Sequence, residues 1–398
     1  MSGETDLFKN KNVNFNILKK RAYNLRWAEV PDGVIPLTAA DIDFPVSEEI
    51  TKALIDYIKP GYFSYTPTLG FPEFRREIAK YLQERGEDIV SDNVLPVDSV
   101  ARGMYIVAKA ILKPGDEAIV FDPVDFLFKN SVSSAGAKPV YFPTKIIDGK
   151  IDFTNLEKYI TPKTKMLCLC NPDNPLGLVY GDEELSIISS ICNKYNLYIM
   201  NDEIWSDIVY GERPFKSILS VDDDLSKRIV SVNGFSKSYG LAGLRIGYIY
   251  TQDHQLFEKI VDASDVKTTA GGISSLSQVA GIAALSKAGK WKKEFIQFLK
   301  YNRDYCYKRL SKMKGISTIK PEATYIFWIN IKELKVTSQQ FVDFMKTKEK
   351  VALVPGSEEK FGPGAEGYVR LCFATSHEIL AEGLNRIEKG LKILNKEK

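Results

Sequence analysis

Apolar and polar positions along this chain follow two patterns. Ile50, Leu54 and Ile58 recur every four residues, and Val100, Met104, Ala108 and Ile111 form a second stripe that stops at Lys113-Pro-Gly115. Both predict helices with one buried face, because residues three and four apart share a side of an α-helix. The other pattern is short and almost wholly apolar: Glu117-Ala-Ile-Val-Phe121, Val140-Tyr-Phe142, Lys165-Met-Leu-Cys-Leu-Cys170, Leu197-Tyr-Ile-Met200, Ile229-Val-Ser-Val232 and Ile246-Gly-Tyr-Ile-Tyr250. Such runs predict buried strands. A helix pattern from Asp182 to Tyr195 separates two of them, so β and α alternate as in an α/β fold with a largely parallel sheet.

The flanks read differently. Residues 1–35 are polar and aromatic without periodicity, which predicts an arm lying on another surface. Pro36-Leu-Thr-Ala-Ala-Asp-Ile-Asp-Phe-Pro45 reads as an extended piece. Ala270-Gly-Gly-Ile-Ser-Ser275 leads into a helix ending near Leu285, and a charged, aromatic helix pattern runs from Trp291 to Met313. Beyond it, 321–329, 351–357 and Tyr368-Val-Arg-Leu-Cys-Phe-Ala374 read as strands of a smaller C-terminal unit. The 398 residues are enough for two such units.

Composition mainly excludes. A net charge of +3, with basic and acidic residues interspersed, argues against nucleic acid as a main partner. No apolar run approaches the about eighteen residues that span a bilayer. The start, Met-Ser-Gly-Glu-Thr-Asp, lacks a signal-peptide pattern, and five cysteines without framework spacing fit a reducing compartment, so a soluble cytoplasmic protein is expected. Cys168 and Cys170 share one strand face and read as small buried apolar residues. With only His254 and His377, a histidine-rich metal site or a Ser–His hydrolase is disfavoured.

The candidate chemistry centres on Asn233-Gly-Phe-Ser-Lys-Ser-Tyr-Gly-Leu-Ala-Gly-Leu-Arg-Ile-Gly-Tyr248, a glycine-rich loop between two apolar runs. Ser236, backbone N–H groups and Arg245 suit a phosphate, Arg through its bidentate fork. Lys237, beside an anion and a second cation, suits an amine nucleophile towards carbonyls. This array resembles the lysine segment of the fold-type I pyridoxal 5′-phosphate (PLP) enzymes, the class I/II aminotransferases. The resemblance implies that Lys237 carries the cofactor as a Schiff base and that Arg245 binds its phosphate.

Other segments fall in the same family order. Asn171-Pro-Asp-Asn-Pro-Leu-Gly177 is similar to the family's doubled Asn-Pro motif, which gives Asn174 contacts to the cofactor 3′-oxygen and the substrate carboxylate. Asp202, thirty-five residues before Lys237, matches the acid that keeps the pyridine nitrogen protonated. Arg370 matches the arginine that binds the α-carboxylate, and Ala40 stands where a family glycine touches it. Ser99, Val100 and Ala101 open the helix whose N-terminus holds the phosphate, although the family's glycine is missing there. Tyr65, five residues before Gly70, matches a tyrosine that reaches the neighbouring subunit's phosphate, which implies a homodimer. The family stacks an aromatic on the ring two residues after Pro123; here that residue is Asp125, and a one-residue slip gives the role to Phe126, otherwise a core phenylalanine.

The resemblance implies a large PLP-binding domain over residues 46–285 with a mostly parallel, seven-stranded-type sheet. A small α/β domain comes from 1–45 and 286–398. It also implies an aminotransferase that exchanges amino groups between an α-amino acid and a 2-oxo acid. Two departures, Ala-Asp-Ile-Asp-Phe44 and Trp205 where the family commonly has tyrosine, look like the cystathionine β-lyase-like C–S lyases, so a PLP-dependent β-lyase stays as an alternative. A PLP-fold regulator with little turnover is disfavoured by the presence of both Lys237 and Asp202.

Overall fold

The computed structural model describes residues 6–211, 214–268 and 271–396. Ala270 and the first five residues, on which two of the expectations above fall, lie outside the described residues. In chain order the main elements begin with α1 (Glu48–Ile58), α2 (Pro72–Glu84), β1 (Val94–Val97), α3 (Val100–Ile111), β2 (Glu117–Asp122), α4 (Phe126–Ser134), β3 (Lys138–Pro143) and β4 (Thr164–Cys170). Next come α5 (Asp182–Tyr195), β5 (Tyr198–Asp202), β6 (Ile229–Gly234), β7 (Gly247–Tyr250), α6 (His254–Ala263), α7 (Ser275–Lys287) and α8 (Gly289–Leu310). The chain ends with β8 (Ser317–Thr318), β9 (Ile326–Asn330), α9 (Ser338–Thr347), β10 (Val354–Pro355), β11 (Tyr368–Cys372) and α10 (His377–Leu394).

The larger sheet has seven strands in the order β1-β7-β6-β5-β4-β2-β3. Neighbours from β6 through to β3 pair in parallel, while β7 runs antiparallel to both β1 and β6. Both faces are covered, which is why its strands read as continuous apolar runs. On β4, Leu167 and Leu169 share one core with Leu185 and Ile188 of α5. Met166, Cys168 and Cys170 share the other with Met104 and Val107 of α3.

The second sheet is antiparallel, in the order β8-β9-β11-β10. Its strands are shorter than the apolar runs predict. The strand expected from 321 starts at Ile326 because the preceding backbone is bonded elsewhere: Glu322 and Ala323 donate to the Gly177 carbonyl at 2.8 and 3.0 Å, and Thr324 donates to Ile208 at 2.9 Å. The 351–357 run splits, since Val351–Ala352 pairs in parallel with Ile35–Pro36 while β10 pairs with β11.

That pairing carries the N-terminal strip into the molecule. Leu37 donates to Ala352 at 2.9 Å and accepts from Cys372 at 3.0 Å. Arg26 is fully buried and pairs with Asp43, which also accepts from the Trp27 indole at 2.8 Å. A buried charge left without its partner is strongly destabilising, so Arg26→Ala is expected to cost about 3 to 5 kcal/mol of stability. Urea unfolding midpoints of the two proteins check this; an unchanged midpoint refutes the role given to the pair.

Candidate active site

The parallel strands bring their carboxyl ends to one edge of the sheet, where open α/β folds bind ligands. β2 ends just before Asp125, β4 just before Asn174, and β5 ends on Asp202 itself. β6 runs into the turn that holds Lys237.

The Lys237 side chain is partly exposed through the cleft, while its amine is surrounded by protein. Nζ donates to the Ala40 carbonyl at 2.6 Å and lies 5.4 Å from the centroid of the buried Trp205 ring. Burial lowers its pKa and Arg370 adds to that, against the opposing pull of Asp41 and Asp125. The buried Tyr325 hydroxyl donates to the same Ala40 carbonyl at 3.2 Å, and its ring meets Trp205 edge-on at 4.7 Å. Asp202 is 7 % exposed, and Oδ1 accepts from the Ile204 N–H at 3.0 Å. Burial, with the nearby charge of Asp125, pushes its pKa up to about 7. Among the described residues no ion pair involves it.

Arg370 reaches the same cleft from β11. Its Nη1 donates to Asn174 Oδ1 at 3.1 Å, its guanidinium lies 5.2 Å from the Phe361 ring centroid, and its buried Nε has no protein partner. Asn174 donates in turn to Asp125 Oδ2 at 2.9 Å. Phe126, the first residue of α4, is 41 % exposed and makes no ring contact among the described residues.

Ser99 caps α3 by accepting from Arg102 N–H at 3.1 Å, which leaves the Val100 and Ala101 N–H groups at a bare helix N-terminus. Two glycines seat that end against the lysine turn. Gly234 and Gly247 are register partners, and a Cβ on Gly247 would stand 2.6 Å from the Val100 nitrogen. Ser236 is half-buried beside this end of the sheet, and Arg245 is exposed with no salt bridge among the described residues. Tyr65 is 94 % exposed, in a segment without regular secondary structure.

The donors and acids fit a phosphorylated pyridine aldehyde. A buried acid without a salt-bridge partner suits a ring N–H, a bare helix end suits a phosphate, and an amine of lowered pKa suits the aldehyde. In the sequence Asp125 stands out only as a departure from the family's aromatic, and Tyr325 only as a hydroxyl inside an apolar run.

Residues 32–387 match the family model for aminotransferase class I and II. The chain is 33 % identical to an aspartate aminotransferase of Thermotoga maritima, over 90 % of this chain and 91 % of that protein. It is 31 % identical to an aspartate aminotransferase of Pyrococcus horikoshii, over 91 % of each. In structure it is similar to cystalysin from Treponema denticola, which contains a pyridoxal 5′-phosphate cofactor, with a TM-score of 0.88 and 26 % identity over 94 % of this chain and 97 % of that one. With these geometries and likenesses together, the chain belongs to the class I and II aminotransferases, α/β enzymes of fold type I that depend on pyridoxal 5′-phosphate.

Proposed function

We propose that the protein transfers the amino group of an α-amino acid to a 2-oxo acid, with Lys237 as cofactor anchor and proton carrier. The observation that carries this reading is the Arg370–Asn174 pair, whose guanidinium lies near enough to the Lys237 amine for its charge to lower that amine's pKa. Arg370 and Asn174 would bind the α-carboxylate and so set the orientation of the amino acid in the cleft. Bound pyridoxal 5′-phosphate supplies an aldehyde that condenses with amines and a ring that accepts the electron pair released at Cα. Asp202 stabilises the protonated ring nitrogen. With the cofactor bound, the free Lys237 amine would take up the proton from Cα and deliver it to the former aldehyde carbon. Ser236, Arg245 and the N–H groups of Val100 and Ala101 hold the phosphate, with Ser99 as the cap.

The same reading divides the chain into a large domain over 46–285 and a small one built from 1–45 and 286–398. Support comes from the pairing of Ile35–Pro36 with Val351–Ala352. It also makes the active unit a homodimer: Tyr62, Phe63 and Tyr65 are 79, 59 and 94 % exposed, an aromatic cluster of the kind that subunit interfaces cover. No described helix is long and apolar enough to cross a membrane, and five free cysteines support a cytoplasmic location. A β-lyase is the second reading, supported by Trp205 and by the contact of Ala40 with Lys237.

Adding one amino acid without an oxo acid to the purified holoenzyme separates the readings. Aminotransfer predicts that the visible band converts stoichiometrically to pyridoxamine phosphate, releases one oxo acid per site and stops. Return of the band with accumulating pyruvate and thiol, from cysteine or cystathionine, overturns aminotransfer in favour of the lyase.

A further inference from the structure

Asp125 stands in the cleft where the family resemblance calls for an aromatic ring. An aspartate there accepts hydrogen bonds, and this one is built into a chain of them. Oδ1 accepts from the Leu127 N–H at 3.1 Å, capping α4, and Oδ2 accepts from the Asn174 amide at 2.9 Å. The Asp125 N–H donates to the Asn174 carbonyl at 3.1 Å, so Asp125 grips Asn174 by backbone and side chain together. On its far side the Asn174 carboxamide accepts from Arg370.

We propose that Asp125 is a positioning residue for substrate recognition: it clamps the Asn174 carboxamide so that Arg370 presents its remaining N–H groups to the α-carboxylate of the amino acid. This inference rests on the Arg370–Asn174 carboxylate site of the proposed function and deepens it.

A guanidinium only donates and an ionised carboxylate only accepts. A carboxamide between the two therefore has one orientation that makes both bonds, and a half-turn would set NH2 against Arg370 and oxygen against Asp125. Both Asp125 oxygens accept, which is the pattern of the ionised form, and the Arg370 charge opposes the rise that burial causes. With Nη1 committed to Asn174 and Nε buried without a partner, Nη2, which makes no hydrogen bond among the described residues, is the nitrogen left for a carboxylate. An aromatic ring at 125 would offer Asn174 no comparable acceptor, leaving its carboxamide free to turn.

Asp125→Ser tests the clamp, because serine keeps the helix cap but is too short to reach Asn174. The probe is the carboxylic acid that matches the best amino-acid substrate but lacks its amino group. Its Kd on the holoenzyme is measured by calorimetry for wild type, D125S, N174A and the double variant. D125S is expected to raise this Kd and the amino-acid KM about tenfold, with kcat within about threefold. In the N174A background, D125S is expected to add nothing, since Asp125 acts through Asn174. Wild-type affinity in D125S overturns the proposal, and so do D125S and N174A effects that multiply. If the wild type itself binds the acid no better than R370A does, the carboxylate site of the proposed function falls instead.

Discussion

Lys237→Ala is expected to leave the protein folded but to reduce aminotransfer by at least about 10⁴-fold, because one side chain supplies both the covalent anchor and the proton carrier. The amine has no substitute nearby. Its neighbours in the cleft include Ala40, Trp205, Asp202 and Arg370, of which only the arginine carries basic nitrogen, and that stays protonated. Alanine also removes the donor to the Ala40 carbonyl, which keeps its bond from Tyr325, so the strip is not released. Borohydride reduction followed by peptide mass analysis gives the check. Wild type should gain a phosphopyridoxyl group on the peptide that contains Lys237, and the variant should gain none. Trapping of the cofactor on another lysine, at full activity, would remove Lys237 from the mechanism.

Arg370→Ala is the second large loss, about 10² to 10³-fold in kcat/KM and carried mostly by KM, as expected when one partner of a buried ion pair with substrate is deleted. Lysine should not restore it. A point charge on a flexible stem cannot bond Asn174 with one nitrogen and turn a planar edge to the carboxylate at the same time. The control is an amine identical to the amino acid but for its carboxylate, which should react slowly with wild type and equally slowly with R370A. If R370A discriminates between acid and amine as wild type does, the carboxylate is held elsewhere.

What the chain disclosed and what it withheld follow from the reach of each constraint. The turn from Gly234 to Arg245 is local, so glycine, serine, lysine and arginine must occur at fixed spacing there and can be read directly. The Ser99 cap and the strand ending on Asp202 are local in the same way. The position of β7 between β1 and β6 is not, because strand order is decided by packing between segments far apart in sequence. Asp125 is instructive: its cap to Leu127 is local and legible, but its partner Asn174 lies 49 residues on. Tyr325 sits in an apolar run and reads as core, since the carbonyl its hydroxyl meets is 285 residues away. Phe126 stands beside Asp125 as the aromatic to which the resemblance gives the ring-stacking role, one place along the chain. The structure leaves that ring at the rim and brings the acid in.

The parallel pairing of Ile35–Pro36 with Val351–Ala352 has a consequence for how the enzyme is made. A ribosome delivers the N-terminal strip first, and every strand of the larger sheet through Tyr250 follows before residue 351 exists. Over that interval Leu37 has no edge to lie against, while Arg26 lacks the carbonyl of Ala374 and the thiol of Cys372. A nascent chain that ends short of Val351 thus displays Leu37 and Arg26, side chains that the finished fold buries. Completion of the last strand is what turns it into an enzyme.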